Sequence, residues 1–163
     1  MTLATHSIIA TAVTKPLMRV HPVLILLVAI ASHYLSDALP HWDYKIVSLE
    51  NPEDKENRRF GKNRNAIMKD IRNFAIDGCL GAAVVLVAVR PATSQQWIWA
   101  ICAIIGGCLP DFLQGVYIFK IKALRLHQNL HDIFHTKIRL GAYPMLGIPF
   151  QALIVLVALT VLI

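Results

Sequence analysis

The sequence has few cysteines and none of the spacings that cysteine-based sites use. Its three cysteines, Cys79, Cys102 and Cys108, all lie in apolar stretches, and no two of them form a CxxC pair. We therefore interpret them as small core residues rather than as metal ligands or disulfide partners.

The sequence also lacks anything that would divide it. No Ser- or Gly-rich linker and no convincing internal repeat interrupts the 163 residues, which favours a single domain spanning 1–163. Basic residues are missing ahead of the first apolar stretch, and Lys15-Pro16 follows it. We therefore do not expect Met1 to Thr14 to be a cleaved signal peptide.

Acidic residues are scarce. Ten Asp and Glu stand against 16 Lys and Arg, a formal charge of +6 that in a soluble protein suggests a nucleic-acid partner. Here 56% of the residues are hydrophobic and the mean hydropathy is +0.54. Basic residues collect beside membrane spans on the cytoplasmic side. We therefore expect a lipid bilayer as the partner and no nucleic acid.

Four apolar stretches approach or reach the length of a membrane span, about 20 residues for a hydrocarbon core of about 30 Å. They run from His21 to Pro40, Phe74 to Val89, Trp97 to Phe119 and Tyr143 to Ile163. Leu3 to Val13 is about half a span and predicts a re-entrant or interfacial helix that ends at Lys15-Pro16. The expected fold is all-α: a polytopic membrane bundle of about four transmembrane helices plus this short helix.

Basic residues are concentrated in two connections between the spans. His41 to Asn73 carries eight and Lys120 to Arg139 carries five, whereas Pro91 to Gln96 carries none. The positive-inside tendency places the two long connections in the cytoplasm and predicts a multi-pass protein of a bacterial inner membrane. Lys15 and Arg19 conflict with this order if the first span crosses fully.

Two local features are predicted within the first connection. Residues 51–54 resemble a turn, and the mixed charges of Glu53 to Arg72 predict a solvated surface helix.

The first span ends in SHYLSDALPHWD, which places His33 and Asp37 four residues apart on one helical face. His41 would join them after another turn, although Pro40 makes that geometry uncertain. Ionisable groups at membrane depth are costly unless they pair, line a polar cavity or bind a metal. His and Asp together are ligands that divalent transition metals prefer. The structural alternative is a His–Asp hydrogen bond that joins helices.

The third span contributes one acid. Asp111 follows Gly106, Gly107 and Pro110 and lies about two turns before Lys120, in the same cytoplasmic half as Asp37. We expect the two acids to meet. The paired glycines predict a close approach of helices.

Three further histidines follow the third span. His127, His131 and His135 recur at intervals of four, which predicts one helical stripe above the same cavity, with His131 and His135 favoured as ligands. His6 and Asp77 are polar residues within apolar stretches and join the candidates. For Asp77 the alternative is an acid that the N-terminal end of its own helix favours.

These residues exceed what one ion needs, so we expect two divalent ions that share a carboxylate, an arrangement typical of phosphoester hydrolysis. Imidazole and carboxylate suit zinc, manganese and iron alike, with zinc our first expectation. The candidate ligands are His6, His33, Asp37, His41, Asp77, Asp111, His131 and His135, and the candidate catalytic bases are Asp43 and His127.

The same segments carry a resemblance to a known family. Thr5-His6, Ser32 to Asp37, Leu109-Pro110-Asp111 and His131 to Thr136 resemble the TH, SHLxxD, PDxD and HRxxTH signatures of the membrane-bound metal-dependent hydrolases. His33 to His41 is also similar to the HxxxDxxxPxH segment of zinc-dependent phospholipase C and the related single-strand nucleases, where it ligates zinc. The resemblance implies hydrolysis of a phosphoester or phospholipid by metal-bound hydroxide.

The sequence thus predicts a membrane-embedded, metal-dependent hydrolase that acts on a phosphoester of a lipid or of a membrane-proximal substrate at the cytoplasmic face. Two alternatives stay open: a metal-ion transporter or sensor, and a non-catalytic membrane scaffold. A transporter needs polar residues towards the outer half, where Val84 to Val89 and Val155 to Ile163 are nearly featureless.

Overall fold

The computed structural model describes residues 1–51, 58–119, 121–138 and 140–163. Within these residues the chain forms six α-helices, a two-stranded antiparallel sheet and three short 3-10 turns. The helices are α1 (Leu3–Thr14), α2 (Pro22–Asp37), α3 (Arg64–Val89), α4 (Ser94–Tyr117), α5 (Arg125–Phe134) and α6 (Pro144–Leu162). The strands are β1 (Leu49–Glu50) and β2 (Arg59–Phe60).

Three of the described helices, α3, α4 and α6, are long and apolar enough to cross a membrane. They expose large apolar side chains along their length, as a lipid-facing surface requires, among them Leu80, Val87, Ile101 and Leu153. The helix α2 is equally apolar but has only 16 residues. The chain is therefore an all-α protein with three helices that could span a membrane, while a fourth crossing stays a prediction.

The predicted boundaries are close for α4 and α6 and wrong for α3. The side chain of Asn63 accepts hydrogen bonds from the N–H groups of Asn65 and Ala66, and this cap starts α3 ten residues before the expected Phe74. No separate surface helix covers Glu53 to Arg72, because β2 and the first turns of α3 occupy its described part. Beyond Asn51, the predicted turn at 51–54 lies outside the described residues.

The short helix α1 lies in the middle of the bundle and packs against α2, α3, α4 and α6. Most of its side chains are buried, so it is a core element rather than an interfacial helix, which would keep one face outside the bundle. Three of its hydroxyls donate within the helix: Ser7, Thr11 and Thr14 each donate to the backbone carbonyl four residues earlier.

Glycines allow the close packing around α1. A Cβ atom at Gly107 would lie 2.8 Å from the carbonyl oxygen of His6, and one at Gly81 would lie 2.5 Å from the Cα atom of Ala4. A Cβ atom at Gly106 would lie 2.6 Å from the Cβ atom of Ala29 in α2. The prediction that the paired glycines bring helices together is confirmed.

The bundle has two unlike ends. At the far end, the ammonium group of Lys15 donates to the carbonyls of Val161 and Leu162, the last residues of α6. There the apolar core of Ile25, Val85 and Trp99 closes the bundle. The opposite end, which we call the site end, carries the described parts of the connections 38–63 and 118–143. Most of the described histidine and aspartate side chains lie there.

Candidate metal centre

Histidine and aspartate side chains from five parts of the chain meet at the site end. Two groups of possible ligand atoms form there, with the atoms of each group within 4.8 Å of one another. The inner group is His6, His33, Asp37 and Asp111, and the outer group is Asp37, His41 and His135. Asp37 belongs to both groups.

The inner group joins three helices. The Nε2 atom of His6 lies 3.1 Å from Oδ1 of Asp37 and 3.7 Å from Oδ2 of Asp111. The Nε2 atom of His33 lies 3.5 Å from Oδ2 of Asp37 and 3.6 Å from Oδ1 of Asp111. Ligands about 2.1 Å from a shared ion lie about 3 to 3.5 Å from one another, so these separations fit ligands of one ion.

His131 of α5 lies next to the inner group. Its Nε2 atom lies 3.3 Å from Oδ2 of Asp37, 3.3 Å from Oδ1 of Asp111 and 3.5 Å from Nε2 of His33. The amide nitrogen of Gln114 lies 3.2 Å from its other ring nitrogen. His131 therefore has the position of a further ligand.

Within the outer group, His41 lies on the loop that follows α2. This helix ends at Asp37, before Pro40, so His41 does not extend the helical stripe as predicted. The loop instead brings Nε2 of His41 to 3.7 Å from Oδ1 of Asp37 and to 3.0 Å from Oδ2 of Asp43. His135 follows α5 in extended conformation, with its Nε2 atom 3.9 Å from Oδ2 of Asp43.

The hydrogen bonds of the other ring nitrogens orient four of these histidines. The Nδ1 atoms of His33, His41 and His135 lie 2.8, 2.8 and 3.1 Å from backbone carbonyl oxygens, those of Gly107, Leu39 and Thr136 in turn. Such a carbonyl can only accept, so Nδ1 carries the proton, and Nε2 keeps its lone pair while the ring is neutral. Metal-binding histidines typically have this arrangement.

His6 follows the same pattern through a hydroxyl group. The Oγ atom of Ser36 donates to the carbonyl of His33 and lies 3.0 Å from Nδ1 of His6, from which it accepts. The Nε2 lone pair of His6 is thereby directed towards Asp37 and Asp111. The Nε2 atoms of His6, His33 and His135 thus face carboxylate oxygens across 3 to 4 Å, which is repulsive for neutral rings unless a metal ion lies between the two acceptors.

Two atoms at the middle of the site have no hydrogen-bond partner in the described structure. They are Nε2 of His6 and Oδ2 of Asp37, and both are buried. A buried polar atom without a partner costs about 1 to 3 kcal/mol, so such atoms call for an explanation. A divalent ion bound by both atoms would supply it, and the residues present therefore fit a metal.

Asp43 borders the outer group, and its side chain is 43% exposed. Burial raises its pKa, but the hydrogen bond with His41 and the nearby amino group of Met1 outweigh this effect and lower the pKa to about 2. Asp43 is therefore ionised at neutral pH. A carboxylate of such low pKa is a weak proton acceptor, so its position suits an orienting or ligating role better than that of the predicted base.

Two predicted site residues lie outside the centre. Asp77 accepts hydrogen bonds from the N–H groups of Leu3 and Ala4 at 2.6 and 3.3 Å, so its carboxylate caps the N-terminus of α1. His127 uses both ring nitrogens elsewhere: Nδ1 lies 2.9 Å from the hydroxyl of Tyr34, and Nε2 lies 3.0 Å from the carbonyl of Pro110. Asp77 thus caps a helix other than its own, a contact that does not fit its predicted role as a metal ligand. The contacts of His127 do not fit its predicted role as a catalytic base.

Several supporting residues were not predicted from the sequence. Ser36 and Gln114 contact ligand histidines. Asp70 accepts from the N–H groups of Val47 and Ser48, and thereby fixes the loop to α3. Ser36 adjoins Asp37 within the SHYLSD motif, and this proximity was the one available signal. The contacts of Asp70 and Gln114 join residues far apart in the chain, so local sequence carries no signal for them.

A cavity of about 150 Å³ adjoins the centre. Four of the polar side chains on its wall belong to the centre or its support: Asp111, His131, His135 and Gln114. Asp43 also borders the cavity. A small molecule bound there would contact the metal centre directly.

The comparisons with known proteins add no assignment. No protein-family model, curated protein or solved structure matches this chain. The resemblance to the membrane-bound hydrolases therefore rests on the short motifs quoted above and on the residues that form the centre.

Proposed function

We propose that this chain is a membrane-embedded, metal-dependent hydrolase that cleaves a phosphoester at a centre of two divalent ions. One observation carries the proposal: two groups of ligand atoms share the carboxylate of Asp37 and leave Nε2 of His6 and Oδ2 of Asp37 buried without a partner. Paired ions joined by a carboxylate are a recurrent arrangement for phosphoester hydrolysis.

Each group has its own set of candidate ligands. The inner ion would be held by His6, His33, Asp111 and one oxygen of Asp37, with His131 at the edge of the set. The outer ion would be held by Asp37 with His41 and His135. Oδ1 of Asp37, which lies 3.7 Å from Nε2 of His41, also accepts from the amino group of Met1 at 2.8 Å. Neutral imidazole and carboxylate ligands suit zinc first and manganese or iron as alternatives.

The chain's own residues define where the chemistry takes place. When bound, such ions lower the pKa of a coordinated water towards 7 and stabilise the negative charge that develops on a phosphoryl group. The cavity beside Asp111 and His131 gives a phosphoester access to the centre from one side. Asp43, ionised at the border of this cavity, orients His41 across 3.0 Å.

The topology we propose has four crossings, with α2 as the shortest, and puts the site end in the cytoplasm of a bacterial inner membrane. The basic residues of the two connections at the site end support this orientation. Lys15 and Arg19 run against this order, and Lys15 has a structural role at the far end, where its ammonium group caps α6. Long basic side chains at helix ends reach interfacial groups in this way.

The transporter alternative receives less support from the packing. A path across the bundle would have to pass the buried side chains of Ile25, Val85 and Trp99, which are at most 1% exposed. The hydroxyls of Thr11 and Thr14, the next polar groups of α1, are already bonded to backbone carbonyls. An ion bound at the centre therefore has no polar route to the far end through the described residues.

The scaffold alternative is weakened by the hydrogen bonds of the imidazoles. A scaffold would pair His with Asp directly, yet Nδ1 of His33, His41 and His135 already holds the proton for a backbone carbonyl. While these rings are neutral, the Nε2 atoms of His33 and His135 meet carboxylates as two acceptors, so a scaffold needs a second proton on each ring. A bound cation removes this conflict.

The test is the hydrolysis of p-nitrophenyl phosphate and bis-p-nitrophenyl phosphate by zinc-loaded and manganese-loaded protein in detergent. We expect metal-dependent release of nitrophenolate, its loss to background in Asp111→Asn, and its retention in Glu50→Gln, a surface carboxylate paired with Arg59. Stoichiometric metal without hydrolysis of either ester, or an unchanged rate in Asp111→Asn, would contradict the proposed activity.

A further inference from the structure

The cavity beside the metal centre has a second wall of different character. Besides the polar side chains, six residues line it with predominantly apolar surface: Leu3, Tyr44, Ile46, Phe60, Phe74 and Ile118. They come from α1, the 38–63 connection, β2, α3 and the residue that follows α4. A single small space is thus lined both by candidate metal ligands and by aromatic and aliphatic groups.

Basic side chains are absent from this wall. Among the described residues that line the cavity, none is Lys or Arg. Sites that hold a soluble, multiply charged phosphate ester commonly use Arg or Lys to contact its oxygens. Here the charge of a phosphoryl group would be met by the metal centre and by the amino group of Met1, which also lines the cavity, and the group esterified to it would meet apolar surface.

The apolar wall is held firmly in place. The carboxylate of Asp70 accepts from the N–H groups of Val47 and Ser48 at 3.1 and 2.7 Å, directly after Ile46. The N–H group of Gly61 donates to the carbonyl of Ser48 at 2.8 Å, directly after Phe60. The residues that follow Ile46 are therefore fixed to α3 by the Asp70 carboxylate, and the residue that follows Phe60 is fixed to Ser48 by a backbone hydrogen bond.

The apolar surface continues beyond the cavity. The ring of Phe60 packs on that of Phe119, with centroids 5.1 Å apart, and Phe119 is 70% exposed. Ile121, two residues on, is also exposed. An alkyl group that leaves the cavity past Phe60 would meet the further apolar side chains of Phe119 and Ile121.

From these observations we propose that the substrate is a phosphoester of an apolar alkyl chain, a lipid phosphoester, whose chain lies against Phe60, Phe74 and Ile118 while its phosphoryl group faces Asp111 and His131. This inference rests on the proposed function and specifies its substrate class. The volume of about 150 Å³ holds the first part of such a chain, and the remainder follows the exposed apolar side chains.

The test separates binding from turnover. The melting temperature of zinc-loaded protein in detergent is measured with ethyl phosphate, with decyl phosphate and with the methyl diester of each. Hydrolysis of the same four compounds is measured separately. Phe74→Ala removes part of the wall. Phe112→Ala is the matched control, because Phe112 is 66% exposed on α4 and does not line the cavity. Decyltrimethylammonium controls for a detergent effect of the alkyl chain.

We expect a decyl phosphoester to raise the melting temperature at concentrations at least about tenfold below those of its ethyl homologue. This preference shrinks several-fold in Phe74→Ala and persists in Phe112→Ala. Equal binding of ethyl and decyl esters, or a preference that survives Phe74→Ala, overturns the inference. Equal hydrolysis of ethyl and decyl esters would support the proposed hydrolase activity and contradict the lipid substrate. Preferential binding of decyl esters without hydrolysis would support a lipid-binding site and contradict the hydrolase activity.

Discussion

The Nε2 atom of His6 lies 3.1 Å from Oδ1 of Asp37, yet no hydrogen bond satisfies it. The reason is on the opposite side of the ring, where Nδ1 donates to Oγ of Ser36 and leaves Nε2 as an acceptor. The ammonium group of Met1 donates to the same Oδ1 atom at 2.8 Å, but Nε2 of His6 still has no partner. A metal ion bound by Nε2 of His6 and by Asp37 would separate the two acceptors.

The hydroxyl of Ser36 is expected to support metal binding without contacting the metal. Its replacement in Ser36→Ala removes the acceptor that orients His6 and should weaken zinc affinity by about 10- to 100-fold. Ser32→Ala is the matched control, since Ser32 is also buried in α2 and donates only to the carbonyl of Ala29. Competition with a zinc-chelating dye measures both affinities, and equal affinities in the two variants would contradict the role given to Ser36.

Asp77 is expected to stabilise the fold rather than to hold metal. Asp77→Ala removes the cap of α1 and should lower the free energy of unfolding by about 1 kcal/mol. Asp77→Asn keeps an acceptor for the N–H groups of Leu3 and Ala4 and should retain the metal content of the wild type. Loss of metal in Asp77→Asn, measured by plasma mass spectrometry, would restore Asp77 to the ligand set.

His127 is expected to have a structural role. His127→Gln loses the paired contacts with Tyr34 and the carbonyl of Pro110 and should cost about 1 kcal/mol of stability in thermal unfolding. Burial lowers the pKa of His127, which favours the neutral ring that these contacts need. Metal content and hydrolysis should stay at wild-type levels, and a loss of hydrolysis with metal retained would identify His127 as the predicted base instead.

Chelation is expected to destabilise the protein reversibly. A metal that binds only the folded state contributes about 2.7 kcal/mol at a free concentration 100 times its dissociation constant. Treatment with EDTA should therefore lower the melting temperature, and added zinc should restore it. Asp37→Asn, which removes the shared carboxylate, should melt at one temperature with or without zinc. A wild-type melting temperature that changes neither with EDTA nor with added zinc would argue against a bound metal.

The helices that face lipid and the identity of most candidate ligands could be predicted from the sequence. The bounds of α4 and α6 fall within a few residues of the expected spans, because long apolar runs specify such helices locally. His6, His33, Asp37 and Asp111 come together as expected, since ionisable side chains in apolar helices have few other acceptable surroundings.

The parts that could not be predicted depend on contacts between distant segments. The loop that returns His41 to Asp37 is held by backbone bonds from Thr136 to Asp37 and from Leu140 to His41. Likewise, the partner of Asp77 is the start of α1, 73 and 74 residues away along the chain. Helical periodicity describes neighbours within one helix and therefore carries no information about either contact.

The metal content of the purified protein tests the central claim most directly. Plasma mass spectrometry of detergent-purified wild type, Asp37→Asn and Asp77→Asn should give about two equivalents of zinc or manganese per chain in the wild type and in Asp77→Asn, and almost none in Asp37→Asn. Absence of metal in the wild type, or the same content in Asp37→Asn, would contradict the metal centre and favour a scaffold held together by its histidines and aspartates.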